Sequence, residues 1–212
     1  MIAGWVQEVL APQRTAVLVV DVQNDFCAPD GAFARQGMSI DAGRRILGPL
    51  ARLLDGARAA GARVIYLRFV EDAAGHVVSQ AYDRQRYRAG EELRYCTDEW
   101  GRAIVPEVEP RKGEPVVDKV RASGFYATAL DTILRCGGVT TLVLTGMATE
   151  SCVLATAIDA TARDYYVVLA TDCLASFSDE RHRAALAILT HKHPSVRADE
   201  ILEIWQNSAG RT

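Results

Sequence analysis

The 212 residues are 49% apolar and 24% charged, the balance of a chain that buries its own core, and we expect one domain spanning 1–212. The 24 basic against 27 acidic residues leave a net charge of −3 with no block of one sign, which argues against a nucleic-acid or anionic-membrane partner. Five cysteines, Cys27, Cys96, Cys136, Cys152 and Cys173, form no Cys-x-x-Cys pair, so a disulfide framework or cysteine zinc site is disfavoured and a reducing, cytoplasmic location is expected. The opening MIAGWVQEVLAPQ lacks the basic-then-apolar pattern of a secretion signal, and no apolar run approaches the ~18 residues of a membrane span.

The first predicted element is a strand at 15–20 (TAVLVV), closed by Asp21 and a turn through VQNDF. A carboxylate there is poorly solvated, so it forms the turn, pairs with a cation, binds metal or acts as a base. Ile46, Leu47, Leu50, Leu53, Leu54 and Ala57 then recur at helical spacing, and Gly61 stands where a helix C-cap would. A second strand, 62–69 (ARVIYLRF), carries Arg68 near its end. From residue 70 to about 111 the chain is polar and irregular, a length typical of lids and binding loops. Its Tyr82, Tyr87, Tyr95 and Trp100 either line a site or pack the loop down.

The third strand, 115–118, leads to Lys119, and a helix is expected over 127–136 before Gly137-Gly138. The fourth, 141–144, runs into TGMATESC, where Thr149 is placed to cap a helix over 150–163. A fifth strand at 165–170 and a helix at 179–190 follow. His191 and His193 stand at the exposed end of that helix, where positive charge favours the last carbonyls, a plainer reading than a metal pair.

Strand-length apolar runs alternating with helical segments predict an α/β fold: a doubly wound, mainly parallel sheet in three layers, with helices on both faces. In such sheets reactive groups gather outside the C-terminal strand ends. Those positions are held by Asp21, Arg68, Lys119 and the run from Gly146 to Cys152. A thiol in the first turn of a helix meets the positive end of the dipole, which predicts a lowered pKa and a nucleophile, with nearby N–H groups available to an oxyanion. A buried cysteine acting as a small apolar residue is the alternative. No Gly-x-Ser-x-Gly, Gly-x-Gly-x-x-Gly or Gly-x-x-x-x-Gly-Lys motif appears, which sets aside serine α/β-hydrolases and the common nucleotide-binding loops.

Three motifs in order, VDVQNDF at 20–26, VDKVRASGF at 117–125 and TGMATESCV at 145–153, resemble the isochorismatase-like cysteine hydrolases, over a span from Thr15 to about Trp205. The resemblance implies a triad of Asp21, Lys119 and Cys152, and a homo-oligomer, dimer or tetramer. It also implies a cis peptide between Met147 and Ala148 that aims the Ala148 and Cys152 N–H groups at the substrate oxygen. Nicotinamidases in the family carry an Asp-x-His and a further His for a metal, whereas RFVEDAAGHVV here holds His76 alone, so no metal or other cofactor is expected. True isochorismatases, which cleave a vinyl ether, generally lack the cysteine, so Cys152 favours hydrolysis of a small amide or ureide through a thioester. A vinyl ether hydrolase and a catalytically idle ligand-binding member remain the alternatives; a redox sensor is disfavoured because Cys152 has no obvious resolving partner.

The stretch from Lys119 to Val153 is most similar to ureidoacrylate amidohydrolases, with N-carbamoylsarcosine amidase and biuret hydrolase as near relatives. Gln23 and Phe26 from the first loop and Phe125 and Tyr126 after Lys119 are candidate pocket residues. Arg68 and Arg121 are candidates to clamp a substrate carboxylate, with a structural role as the rival reading. Cys27 borders the first loop and is placed to touch the site, and Glu150 would oppose thiolate formation if it pointed inward.

Overall fold

A computed structural model describes residues 4–72, 74, 76–86 and 94–209 of the chain. Its centre is a six-stranded parallel sheet in the order β3-β2-β1-β4-β5-β6. The strands are β1 (Thr15–Val20), β2 (Arg63–Phe69), β3 (Val116–Lys119), β4 (Thr141–Gly146), β5 (Tyr166–Leu174) and β6 (Ser195–Val196). β1 and β4 lie in the middle and are buried along their whole length, which explains why they read as continuous apolar runs without alternation.

Alternation decides which core each side chain enters. Val17 and Val19 point into a core shared with the Leu47–Ala60 helix and the Ala198–Ala209 helix, while Ala16, Leu18 and Val20 point into the opposite one. That second core takes Leu130 and Leu134 from the Leu130–Cys136 helix, Ala157 and Ala160 from the Leu154–Thr161 helix, and Leu189 from the Asp179–Thr190 helix. Fully buried residues such as Leu53, Leu54 and Leu134 each contribute roughly 1.5–3 kcal/mol by leaving water. No helix among the described residues is long and apolar enough to cross a membrane.

The Leu47–Ala60 helix ends as its pattern predicts, with Gly61 at φ 79°, a left-handed cap that glycine adopts without steric cost. Elsewhere the structure corrects the sequence. The helix expected from 127 starts only at Leu130, because Ala127 takes φ 52°, which no α-helix contains. The expected 150–163 helix is instead a single π-type turn, Thr149–Val153, leading into Leu154–Thr161. β6 and the Ala198–Ala209 helix were not anticipated. The strand has two residues, too few for a period, and the helix is held through the Trp205 Nε1–H, which donates to the Leu10 carbonyl at 2.8 Å.

The stretch 70–111 is less irregular than it reads. It holds the short helices Gln80–Arg86 and Glu99–Arg102 and a 3₁₀ turn, Pro106–Val108. Tyr87, one of its aromatics, lies outside the described residues.

Candidate active site

The strand order reverses between β1 and β4, so their onward connections part to opposite faces and leave a crevice at their C-terminal ends. Asp21 leaves β1 at φ 52°, and its N–H donates to the Leu67 carbonyl of β2 at 2.9 Å, so the carboxylate is aimed by the sheet itself. Beside it β4 ends at Gly146, φ 96°, where an added Cβ would stand 2.0 Å from the Val20 carbonyl. Only glycine allows β1 and β4 to approach this closely. The Met147 N–H donates to that same carbonyl at 2.9 Å, the Met147–Ala148 peptide is cis, and the π-type turn bearing Cys152 follows.

Lys119 comes from β3, at the end of the strand order, and its stem runs across β2 past the Phe69 ring, 5.2 Å from the ammonium. Its Nζ donates to Asp21 Oδ2 at 2.8 Å, to the Arg121 carbonyl at 3.2 Å and to Cys152 Sγ at 3.2 Å. Both members of the ion pair are buried: Asp21 is 2% exposed and Lys119 1%. Among the described residues Asp21 Oδ1 has no hydrogen-bond partner at normal geometry, which leaves one carboxylate oxygen ready to take a proton.

Burial pushes the Asp21 carboxyl above its ordinary range, against the opposing pull of Lys119 and of the Cys152 thiol. Burial works against the Lys119 ammonium too, but the negative groups beside it prevail and its pKa is raised. The Cys152 thiol is pushed up to about 12, first by burial and then by the negative charge of Asp21, with Lys119 only partly compensating. The lowered pKa expected from the helix dipole is therefore not found. A loss of solvation and a carboxylate next to the sulfur outweigh the partial charge of one turn.

Asp21 and Cys152 open onto a pocket of about 210 Å³ whose far walls are the rings of Phe26, Phe33, Tyr82, Tyr95 and Phe177. The rings hold one another: Phe26 meets Phe33 edge-on at 5.0 Å and Tyr95 at 5.1 Å, and Phe33 lies 4.4 Å from Phe177. Tyr82 and Tyr95 thus line the site, whereas Trp100 is nearly half exposed and stays outside.

The remaining candidates part company. Phe26 lines the pocket. Gln23 does not; it is a buried pin, donating to the Phe69 and Arg102 carbonyls at 2.8 and 2.9 Å and accepting from the Phe69 N–H at 2.8 Å. Arg68 forms a two-bond ion pair with Asp118 on the neighbouring strand, at 2.7 and 2.9 Å. Arg121 donates to the Val77 and Val120 carbonyls and holds its guanidinium over the Tyr82 ring, 4.1 Å from the centroid, so it braces a wall of the pocket. Phe125 stacks on Tyr165 at 6.0 Å in the opposite core, and Tyr126 is 56% exposed. Both fall away because the chain turns at Ala127 directly after them. Glu150 points toward Arg181, 3.8 Å away, and is not among the pocket residues. Thr149 does not cap the helix, since its hydroxyl donates to the Ala175 carbonyl at 2.8 Å. Cys27 is buried behind the site, with its sulfur 3.4 Å from Met147 Sδ.

Phe33, Phe69 and Phe177 were missed. They are single aromatics in a four-residue helix, at a strand end and in a loop, and their sequence neighbourhoods carry no periodic signal that points to a pocket. Asp25 was missed as the staple that assembles this wall: its carboxylate accepts from the Cys96 N–H at 2.6 Å and the Ala32 N–H at 2.9 Å, tying the strands of chain that carry Tyr95 and Phe33 to Phe26. Among the described residues no cluster of His, Cys, Asp and Glu is arranged to hold a metal ion.

The isochorismatase domain model matches residues 15–197. The ureidoacrylate amidohydrolase of Methylobacterium radiotolerans is 36% identical over 191 residues, covering 84% of this chain and 74% of that protein. The Acinetobacter baylyi enzyme of the same name is 31% identical, covering 84% and 77%. Among solved structures, a cysteine hydrolase from Pseudomonas syringae pv. phaseolicola matches with a TM-score of 0.80 at 28% identity, over 92% of this chain and 94% of that one. N-carbamoylsarcosine amidase from Thermoplasma acidophilum matches with a TM-score of 0.71 at 27% identity, over 88% and 97%.

Proposed function

Because the chain belongs to the isochorismatase family, we propose that it is a cysteine amidohydrolase that cleaves a carbon–nitrogen bond of a small amide or ureide. Cys152 is the nucleophile, Asp21 the general base and then acid, and Lys119 the cation that keeps Asp21 ionised between proton transfers. The observation that carries this reading is the position of Lys119 Nζ, 2.8 Å from Asp21 and 3.2 Å from Cys152 Sγ at the mouth of a ring-walled pocket.

A resting thiol with its pKa near 12 keeps its proton, so the dry site holds one balanced ion pair and no third charge. Substrate changes that balance. As Cys152 Sγ bonds to the carbonyl carbon, its proton passes to Asp21, and the negative charge moves onto the substrate oxygen. In this reading the Ala148 and Cys152 N–H groups receive it. The carbon–nitrogen bond then breaks, the nitrogen leaves with the proton held by Asp21, and a thioester remains. Water gives a proton to Asp21 and its hydroxide equivalent to the carbonyl carbon; the sulfur departs and recovers the proton as the acid is released. From a ureide the acid is a carbamate, which decomposes.

The pocket supports a flat and largely apolar acyl portion, since six rings line it and a planar group can lie against their faces and edges. Arg68 and Arg121 are committed to Asp118 and to backbone carbonyls, which favours an acyl portion without a carboxylate. Ammonia release from a panel of primary amides, carbamoyl compounds and ureides tests the proposal. Turnover of at least one panel member that vanishes in Cys152→Ala is expected; equal turnover by that variant would sink the mechanism.

A further inference from the structure

The turn that carries Cys152 is held from behind by a side chain that the proposed chemistry does not use. Thr149 is fully buried, and both its N–H and its hydroxyl donate to one acceptor, the Ala175 carbonyl, at 2.9 and 2.8 Å. Ala175 in turn donates to the Gly146 carbonyl at 3.0 Å, which laces the end of β5 to the glycine that ends β4. With the hydroxyl proton directed at Ala175, Thr149 has no second proton to donate. Yet His182 Nδ1, on the Asp179–Thr190 helix, stands 2.8 Å from the same oxygen. With the Thr149 proton on Ala175, only an Nδ1–H on the imidazole makes this contact a hydrogen bond.

We propose that His182, as the Nδ1–H tautomer, is a positioning residue for the nucleophile: its bond to Thr149 Oγ1 locks the π-type turn that aims Cys152 Sγ and the N–H groups beside it at the substrate carbonyl. A π-type turn is a strained insert in an α-helix and persists where its surroundings dictate it. Here the Thr149–Ala175–His182 contacts supply that surrounding grip at the first residue of the turn, three residues before Cys152. The Asp179–Thr190 helix is itself fixed by the Ser178 hydroxyl, which accepts from the Arg181 N–H at 3.3 Å, so the imidazole is delivered by a rigid element.

The inference rests on Cys152 being the nucleophile, and its test has a readout that needs no substrate. In His182→Ala, hydrogen exchange of the peptide spanning 146–154 should accelerate by about tenfold, the equivalent of one lost hydrogen bond, while exchange in β1 and β2 stays as in the wild type. On whichever amide the panel identifies, kcat should fall by a similar factor with KM nearly unchanged. His182→Asn, whose amide nitrogen can stand where Nδ1 stands, should restore both; His182→Gln, which mimics Nε2, should not. Thr149→Val removes the hydroxyl bond to Ala175 as well and should lose at least as much as His182→Ala, and the double variant should lose no more than Thr149→Val alone.

Unchanged exchange across 146–154 in His182→Ala, rescue by Gln equal to rescue by Asn, or additive losses in the double variant would each overturn the proposal. Should no amide be turned over by the wild type, the amidase reading fails while the exchange measurements still decide the role of His182.

Discussion

The two walls of the pocket are built in opposite ways. The wall with Asp21, Lys119 and Cys152 sits on the ends of three strands, where the ladder and a handful of backbone bonds dictate each position to within a hydrogen-bond length. The facing wall is assembled from Phe26, Phe33, Tyr82, Tyr95 and Phe177, which are scattered over loops and short helices and are held mainly by ring-on-ring contacts and the Asp25 staple. Reaction chemistry depends on sub-ångström placement and is therefore entrusted to the sheet. Recognition of an apolar group tolerates adjustment, because edge and face contacts worth about 0.5–1.5 kcal/mol per pair can be remade with neighbouring rings.

Substitutions should separate the walls sharply. The largest effect falls on the strand-end wall: Cys152→Ala or Asp21→Asn should lower kcat by about 10⁴-fold or more, with the thermal midpoint of Cys152→Ala scarcely altered. Steady-state kinetics and calorimetry measure the two halves of that statement. Lys119→Met comes next. It strands a buried carboxylate and should cost about 3–5 kcal/mol in urea unfolding, as well as activity; a cost below about 1 kcal/mol would mean that the pair is not the balanced buried unit described here.

High pH should weaken the same region. Folding raises the thiols of both Cys152 and Cys27 from 9.0 to about 12, so between those values the folded chain holds protons that the unfolded chain has released. Stability from these groups is complete below pH 9 and drains away as pH rises toward about 12. In Cys27→Ala/Cys152→Ala that alkaline loss should shrink, as denaturant titrations at pH 8 and 10.5 would reveal. The smallest effect belongs to the aromatic wall. Phe177→Leu should raise KM by a factor of about 3–10 at nearly constant kcat, since it trims apolar contact equally in ground and transition states. A fall in kcat as large as that of the strand-end variants would erase the distinction between the walls.

The boundary between what could be read from residues and what could not follows the same division. Asp21, Lys119 and Cys152 were legible because each stands at a strand's C-terminal end or in the helical turn that follows it, and a parallel sheet brings such positions together regardless of loop detail. Arg68 was legible as a strand-end residue but not as a partner of Asp118, because that pairing depends on the β2–β3 register. Phe125 and Tyr126 were misplaced by the left-handed Ala127, an uncommon conformation for a residue with a side chain and one with no signature in the surrounding residues.

Periodicity thus determined the α/β class and the parallel sheet, which follow from local pattern repeated along the chain, while the three residues proposed to do the chemistry came from strand-end position together with the resemblance carried by three motifs in order. The direction of the Cys152 pKa, the aromatic enclosure, the inward staple at Asp25 and the grip of His182 on Thr149 were decided only by tertiary structure. Each is set by desolvation or by contacts between residues far apart in the chain, and local sequence pattern carries no information about either.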